Sequence, residues 1–97
     1  MGAPEYRIVY TDPAEQDLRD IFSFTLRRWG RDQLNTYAEK IDQTIAEITA
    51  NPQIGRPRLG LLRITVGRHY IYYRIEAETI YIIRVLHDRM DAVRHLA

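Results

Sequence analysis

Between Leu61 and His87 the chain holds three β-rich runs, LLRITV, HYIYYRIE and TIYIIRVLH, separated only by Gly67-Arg68 and Ala77-Glu78. Gaps of two residues leave no room for a crossover, so each run must pair antiparallel with the next. A three-strand meander is the result, and everything else in the chain has to pack against it. Alternation assigns the faces. In the middle run Ile71, Tyr73 and Ile75 share one side, with Tyr70, Tyr72 and Arg74 on the other. In the last run Tyr81, Ile83 and Val85 fall on one side, and Ile80, Ile82, Arg84 and Leu86 on the other. Hairpin register is not set by this pattern, so which face meets which stays open. A second face mixing Tyr, Ile, Leu and Arg is too apolar for solvent alone and reads as a surface to be covered.

Upstream, residues 6–11, YRIVYT, form a first strand. A helix start follows in TDPAEQDL, with Asp12 as the cap, Pro13 suited to the first turn, and Glu15 and Asp17 favouring the positive helix end. Ala14, Leu18, Ile21, Phe22, Thr25 and Trp29 recur at helical spacing as one apolar stripe, and Gly30 ends it. A second helix, capped by Asp32, has the stripe Leu34, Tyr37, Ala38, Ile41, Ile45 and Ile48 and stops at Asn51-Pro52. Two long helices joined through RWGRD make an antiparallel helical hairpin. NPQIGRPRLG, residues 51–60, reads as a loop. The predicted fold is α+β, β-α-α-β-β-β, a helical hairpin packed on one face of a small, mainly antiparallel sheet. Its 97 residues are expected to form one domain, 1–97.

The chain has no cysteine, which excludes disulfide and thiolate chemistry and fits a cytoplasmic protein. No apolar run approaches the ~20 residues a membrane span needs, and MGAPEYRIVY lacks the pattern of a secretory signal. Net charge is +1, but unevenly placed: residues 1–52 carry six Lys/Arg against nine Asp/Glu, and residues 53–97 carry eight Arg against four Asp/Glu. All the basic residues but Lys40 are Arg, which suits bidentate, stacked contacts with carboxylates or phosphates. An anionic partner for the second half and a merely solvated surface both fit.

Three kinds of chemistry can be weighed, the first in the tail VLHDRMDAVRHL. His87, Asp91 and His95 lie four apart and would share a helix face, as metal ligands do, but this segment leaves a strand and no fourth ligand is evident. No metal or other cofactor is therefore expected. Acid–base catalysis on RNA needs a base, an acid and cations around one phosphate. His69, His87, Glu76, Glu78 and the arginines supply the types, but no spacing singles out a set, so no catalytic residue is assigned. Arg56, Arg58, Arg63, Arg68, Arg89 and Arg94 with Tyr70 and Tyr72 offer charge with stacking faces. The weak net charge argues against direct nucleic-acid binding, and Arg with Tyr is equally the composition of a protein interface.

The order of elements, DPAEQDLRDI, the NPQIGRPRLG loop and above all GRHYIYYRIEAETIYIIRVLHDRMD together resemble the ParE family of type II toxins, within the ParE/RelE toxin superfamily. The likeness runs nearly end to end. It implies a RelE/ParE-like fold and a cytoplasmic bacterial toxin that poisons DNA gyrase and is neutralised by a ParD-like antitoxin. RelE relatives instead cut messenger RNA on the ribosome, and that endoribonuclease is the alternative. The positions where those relatives carry catalytic Arg, Arg and Tyr fall near Tyr70, Met90 and Leu96, and Met and Leu neither move protons nor neutralise phosphate. The resemblance thus favours a non-enzymatic toxin. An antitoxin segment that folds on binding is expected to cover apolar parts of the helical hairpin and the mixed sheet face. The candidate antitoxin contacts there are Tyr70, Tyr72, Arg74, Ile82, Arg84 and Leu86, with Arg74 and Arg84 facing its acidic residues. Charge alone nominates Arg56, Arg58, His87, Arg89 and Arg94 for the toxin's target.

Overall fold

The computed structural model describes residues 5–96; residues 1–4, part of the stretch searched for a secretory signal, lie outside it. Strand β1 (Arg7–Tyr10) leads into helices α1 (Asp12–Trp29) and α2 (Arg31–Ala50), and strands β2 (Arg56–Arg58), β3 (Leu61–Val66), β4 (His69–Glu76) and β5 (Thr79–His87) follow, ending in a short helix α3 (Ala92–Leu96). The five strands form one sheet in the order β1-β5-β4-β3-β2. The meander is antiparallel as predicted, and β1 joins it as a parallel edge strand beside β5.

The expected loop at 51–60 holds an additional strand. Pro52–Ile54 form a 3-10 turn, after which Arg56, Pro57 and Arg58 pair antiparallel with Arg63, Leu62 and Leu61. A proline inside a strand is tolerated only where no neighbour needs its missing N–H, and β2 is the sheet edge. The 3-10 turn is fixed from below by Tyr73. Its buried hydroxyl accepts from Gly55 N–H at 2.8 Å and donates to the Pro52 carbonyl at 2.8 Å. A Cβ on Gly55 would lie 2.6 Å from that hydroxyl, so only glycine fits there.

Two caps differ from expectation. Thr11, not Asp12, is the N-cap of α1: its hydroxyl oxygen accepts from Ala14 N–H at 3.1 Å and its O–H donates to the Ile83 carbonyl at 2.8 Å. One side chain therefore starts the helix and pins it to β5, and Asp12 falls into the first turn, where a carboxylate is favourable. The helices are joined by Gly30 alone. At φ +90° it closes α1 through its N–H to Leu26 and opens α2 through its carbonyl to Leu34. A one-residue junction leaves no place for a separate capping side chain, so α2 begins at Arg31 and not after Asp32.

The hairpin covers one face of the sheet. Its Ala14, Ile41 and Ile48 meet Val66, Ile71, Tyr73, Ile80, Ile82 and Val85 in the core, with Leu18, Ile21, Phe22 and Ile45 packed around them. The β4 alternation runs unbroken, but β5 does not follow it. Tyr72 pairs with Arg84 and Tyr73 with Ile82, so Ile83 is an extra residue, a β-bulge. The bulge moves Val85 to the helix side with Ile80 and Ile82, and leaves Tyr81, Arg84 and Leu86 opposite. Ile82, expected on the mixed face, is fully buried in the core.

Candidate functional site

The structure has two faces with different chemistry. On the sheet side away from the hairpin, direct cross-strand pairs place Arg56 beside Arg63, Arg63 beside Tyr72, Tyr72 beside Arg84, and Arg74 beside Tyr81. Paired residues share a face, so Arg58 joins them through Leu61. The Arg63 guanidinium lies 4.2 Å from the Tyr70 ring centroid, and that of Arg74 lies 4.9 Å from Tyr81. Of the residues nominated for antitoxin contact, Tyr70 is half-buried and Arg74 exposed, with Glu76 3.6 Å away. Tyr72 and Leu86 are already buried, each only 1% exposed.

Arg84 is engaged within the chain. Asp17 of α1 takes its Nε at 2.7 Å and its second terminal nitrogen at 2.8 Å, and also accepts the Val85 backbone N–H at 2.9 Å. The Asp17 hydrogen bonds raise the guanidinium pKa above its ordinary value. β1 pairs with β5 only as far as Ile82. Beyond that point the Asp17 carboxylate stands in for the missing strand. The free cation expected at Arg84 is thus held by a residue 67 positions earlier.

On the opposite side, where the hairpin overhangs the ends of β4 and β5, lies an open groove of about 580 Å³ lined by Phe24, Trp29, Tyr37, His69, His87 and Met90 among others. Trp29, Phe24 and Met90 are 61%, 58% and 49% exposed. At its floor the Tyr37 hydroxyl donates to the Val66 carbonyl at 2.9 Å and lies 2.6 Å from His69 Nδ1. Burial, then the nearby His87 ring, lowers the His69 pKa to about 4, and burial raises that of Tyr37. His87 meets His69 edge-on at 5.2 Å between ring centroids, and its Nδ1 accepts Arg89 N–H at 3.1 Å. Gly67, at φ +56°, lets the Tyr37 ring press close: a Cβ there would sit 2.6 Å from it.

The nominated target residues are divided between these regions. Arg56 and Arg58 lie exposed on the sheet face, His87 lines the groove, and Arg89 and Arg94 are exposed in the turn after β5 and on α3. His87, Asp91 and His95 do not share a helix: His87 ends β5, and Asp91 Oδ1 accepts Val93 N–H at 3.1 Å at the start of α3. Among the described residues no group of three or more His, Cys, Asp or Glu is placed to hold a metal ion, and no helix is long and apolar enough to cross a membrane. The apolar groove was missed from sequence. Its signal was present in Phe24, a large apolar side chain off the α1 stripe, and in Trp29 at the end of that stripe, both of which line the groove.

This architecture is that of toxin–antitoxin proteins with the RelE/ParE-like fold. A chain of the chromosomal ParDE toxin–antitoxin system of Pseudomonas aeruginosa superposes with a TM-score of 0.75 at 20% identity, covering 88% of this chain and 98% of that one. A chain of the toxin–antitoxin complex RelBE2 of Mycobacterium tuberculosis gives 0.62 at 23% identity, over 86% and 98%. Sequence narrows the class. The chain belongs to the ParE toxin family of type II toxin–antitoxin systems: the family model described as "ParE toxin of type II toxin-antitoxin system, parDE" matches residues 8–92. Toxin ParE1 of Mycobacterium tuberculosis H37Rv is 38% identical over 95 residues, 93% of this chain and 97% of that protein. Toxin ParE1 of Caulobacter vibrioides is 39% identical over 86% and 90%, and Toxin ParE of Escherichia coli 33% over 92% and 91%.

Proposed function

We propose that this toxin acts by binding DNA gyrase and poisoning it without catalysing a reaction of its own, and that a ParD-like antitoxin neutralises it in the cytoplasm. The observation that carries the non-enzymatic reading is Met90, an unreactive side chain lining the groove beside His69 and His87. Cleaving RNA requires an acid, a base and cations around one phosphate. Here His69 and His87 line the groove on the hairpin side of the sheet, whereas Arg56, Arg58, Arg63 and Arg74 are on the other side. Lys40 and Arg68 do line the groove with the histidines, but Arg68 is engaged by Asp88 at 3.0 Å. Met90 and Leu96, at positions where RelE relatives keep reactive groups, supply none.

The groove supports the antitoxin half of the reading. Exposed Phe24, Trp29 and Met90 around a concave floor suit the apolar face of an amphipathic helix, and aromatic anchors of this kind dominate interface energetics. Arg74 remains available to an acidic extension of the same segment. The deciding experiment compares gyrase supercoiling and cleavage-complex accumulation with cleavage of ribosome-bound messenger RNA, each with and without antitoxin. Accumulated cleavage complexes, abolished by antitoxin, are expected. Normal gyrase activity together with codon-positioned RNA cuts would overturn the proposal.

A further inference from the structure

Eight of the thirteen Asp and Glu residues lie on α1 and α2, while Glu76 is the one carboxylate borne by β2 to β5. The far face of the sheet is the reverse. Arg56 and Arg63 are directly opposed across β2 and β3, an arrangement that destabilises a sheet unless a counter-charge arrives. Among the described residues neither they nor Arg58 has a carboxylate within ion-pair distance. The Arg63 and Arg74 guanidinium carbons lie over the Tyr70 and Tyr81 rings, 4.2 and 4.9 Å from their centroids. Beside Tyr70 the Arg63 guanidinium keeps N–H donors free for phosphate, whereas Arg74 faces Glu76 at 3.6 Å, a weak exposed pair that a phosphate has to displace.

We propose that the β2–β3–β4 face, through Arg56, Arg58, Arg63 and Arg74, binds the sugar-phosphate backbone of single-stranded DNA. Three strands about 4.8 Å apart spread these charges over roughly a single strand's width, with the half-buried Tyr70 ring beside them for a base to meet. Reading duplex bases requires a helix or ribbon that enters a groove, and the face is a plain sheet. An acidic peptide acting alone would need apolar anchors on this face, but the most exposed large apolar side chains, Trp29, Phe24 and Val93, are outside β2–β4, so one reaches it only as an extension of a segment anchored in the groove. An arginine can also donate to a ribose 2′-hydroxyl oxygen, so comparison with oligouridylate distinguishes DNA from RNA. The near-neutral total charge, which argues against nucleic-acid binding, averages an acidic helical layer with a basic sheet face.

The test is fluorescence anisotropy of a labelled oligothymidylate of about 15 nucleotides with the purified toxin over a salt series. Four phosphate contacts predict a slope of log K against log salt near −3, falling to about −1.4 in Arg56→Gln/Arg63→Gln, at about −0.7 per contact. Arg63→Lys should keep the slope while weakening binding, and Arg27→Gln, on the far end of α1, should change neither. Circular dichroism confirms that each variant is folded. Absence of binding at low salt, or a slope unmoved in the double variant, would overturn the proposal. So would tighter binding of oligouridylate, or displacement by oligoglutamate more effective than by unlabelled oligothymidylate. No gyrase enters this assay, so its outcome is separate from the target proposed above.

Discussion

Replacing Asp17 by Ala removes three hydrogen bonds at once, two from the Arg84 guanidinium and one from the Val85 backbone N–H. Hydrogen bonds to a charged group contribute about 1.5–3 kcal/mol each, and a buried N–H left without a partner costs about 1–3 kcal/mol. Removing one member of a fully buried ion pair costs about 3–5 kcal/mol. The Asp17 and Arg84 side chains are 12% and 22% exposed, so part of that is screened by solvent, and the His95 carbonyl, 3.3 Å from Arg84, still accepts one bond. The expected loss is about 2–4 kcal/mol, a large share of the ~5–15 kcal/mol that holds a small domain folded. At about 4–8 °C per kcal/mol, the melting temperature should fall by about 10–30 °C. Asp17→Asn keeps an oxygen for Val85 and should lose about half as much. The measurement is urea denaturation followed by circular dichroism, with Arg84→Met and the double variant completing a cycle. A coupling of about 1–2 kcal/mol is expected, because the Val85 bond survives in Arg84→Met. A loss below about 0.5 kcal/mol in Asp17→Ala, or strictly additive single variants, would refute the role given to Asp17 as a substitute edge strand.

Tyr73→Phe should cost about 1–3 kcal/mol by leaving Gly55 N–H and the Pro52 carbonyl unbonded, with faster hydrogen exchange at the Gly55 amide as the local readout. His69 has its pKa lowered to about 4 in the folded chain, against 6.5 for the ordinary side chain. It therefore favours the folded state fully above pH 6.5 and loses that contribution as pH falls toward 4, where the folded ring also protonates. Because the ring is only half-buried the swing is discounted to about 1–2 kcal/mol, and His69→Gln should flatten the stability profile across that window. Parallel profiles for the two proteins would count against the assignment. Trp29→Ala should leave stability within about 0.5 kcal/mol, since the ring is largely exposed. If the groove seats the antitoxin, the same change should weaken antitoxin binding by about 2 kcal/mol, roughly 30-fold by calorimetry.

Much of this fold was legible because its signals are local. The meander follows from two-residue gaps, the helices from 3.6-residue stripes, and the junction from Gly30. What was hidden depends on long-range contact. TIYIIRVLH has isoleucine at both 82 and 83, so an alternation count cannot place the bulge between them; it is set by how β5 registers on β4 and by Thr11 holding the Ile83 carbonyl. The same bulge decided the candidate site, since it sent Ile82 into the core. Arg84 read as a free cation because its partner lies on α1, and β2 read as loop because Pro57 vetoes a central strand without vetoing an edge one.

Charge shows the same limit in a form that bears on function. A sum over the chain returns +1, and residue blocks return a negative half and a positive half, yet neither says where the field points. The register does. It stacks arginines from β2, β3 and β4 on one face, while the helices that carry most of the carboxylates cover the other. A molecule polarised in this way approaches a polyanion sheet-first, and screening over about 8–10 Å at physiological salt prevents the acidic layer from cancelling the attraction at contact. The apolar groove lies on the hairpin side of the sheet. An antitoxin helix seated there would leave the basic face open unless an acidic extension of the same chain also crossed to Arg74. On this geometry neutralisation of the toxin needs both parts of such a segment: the groove supplies affinity, and the extension removes the charge.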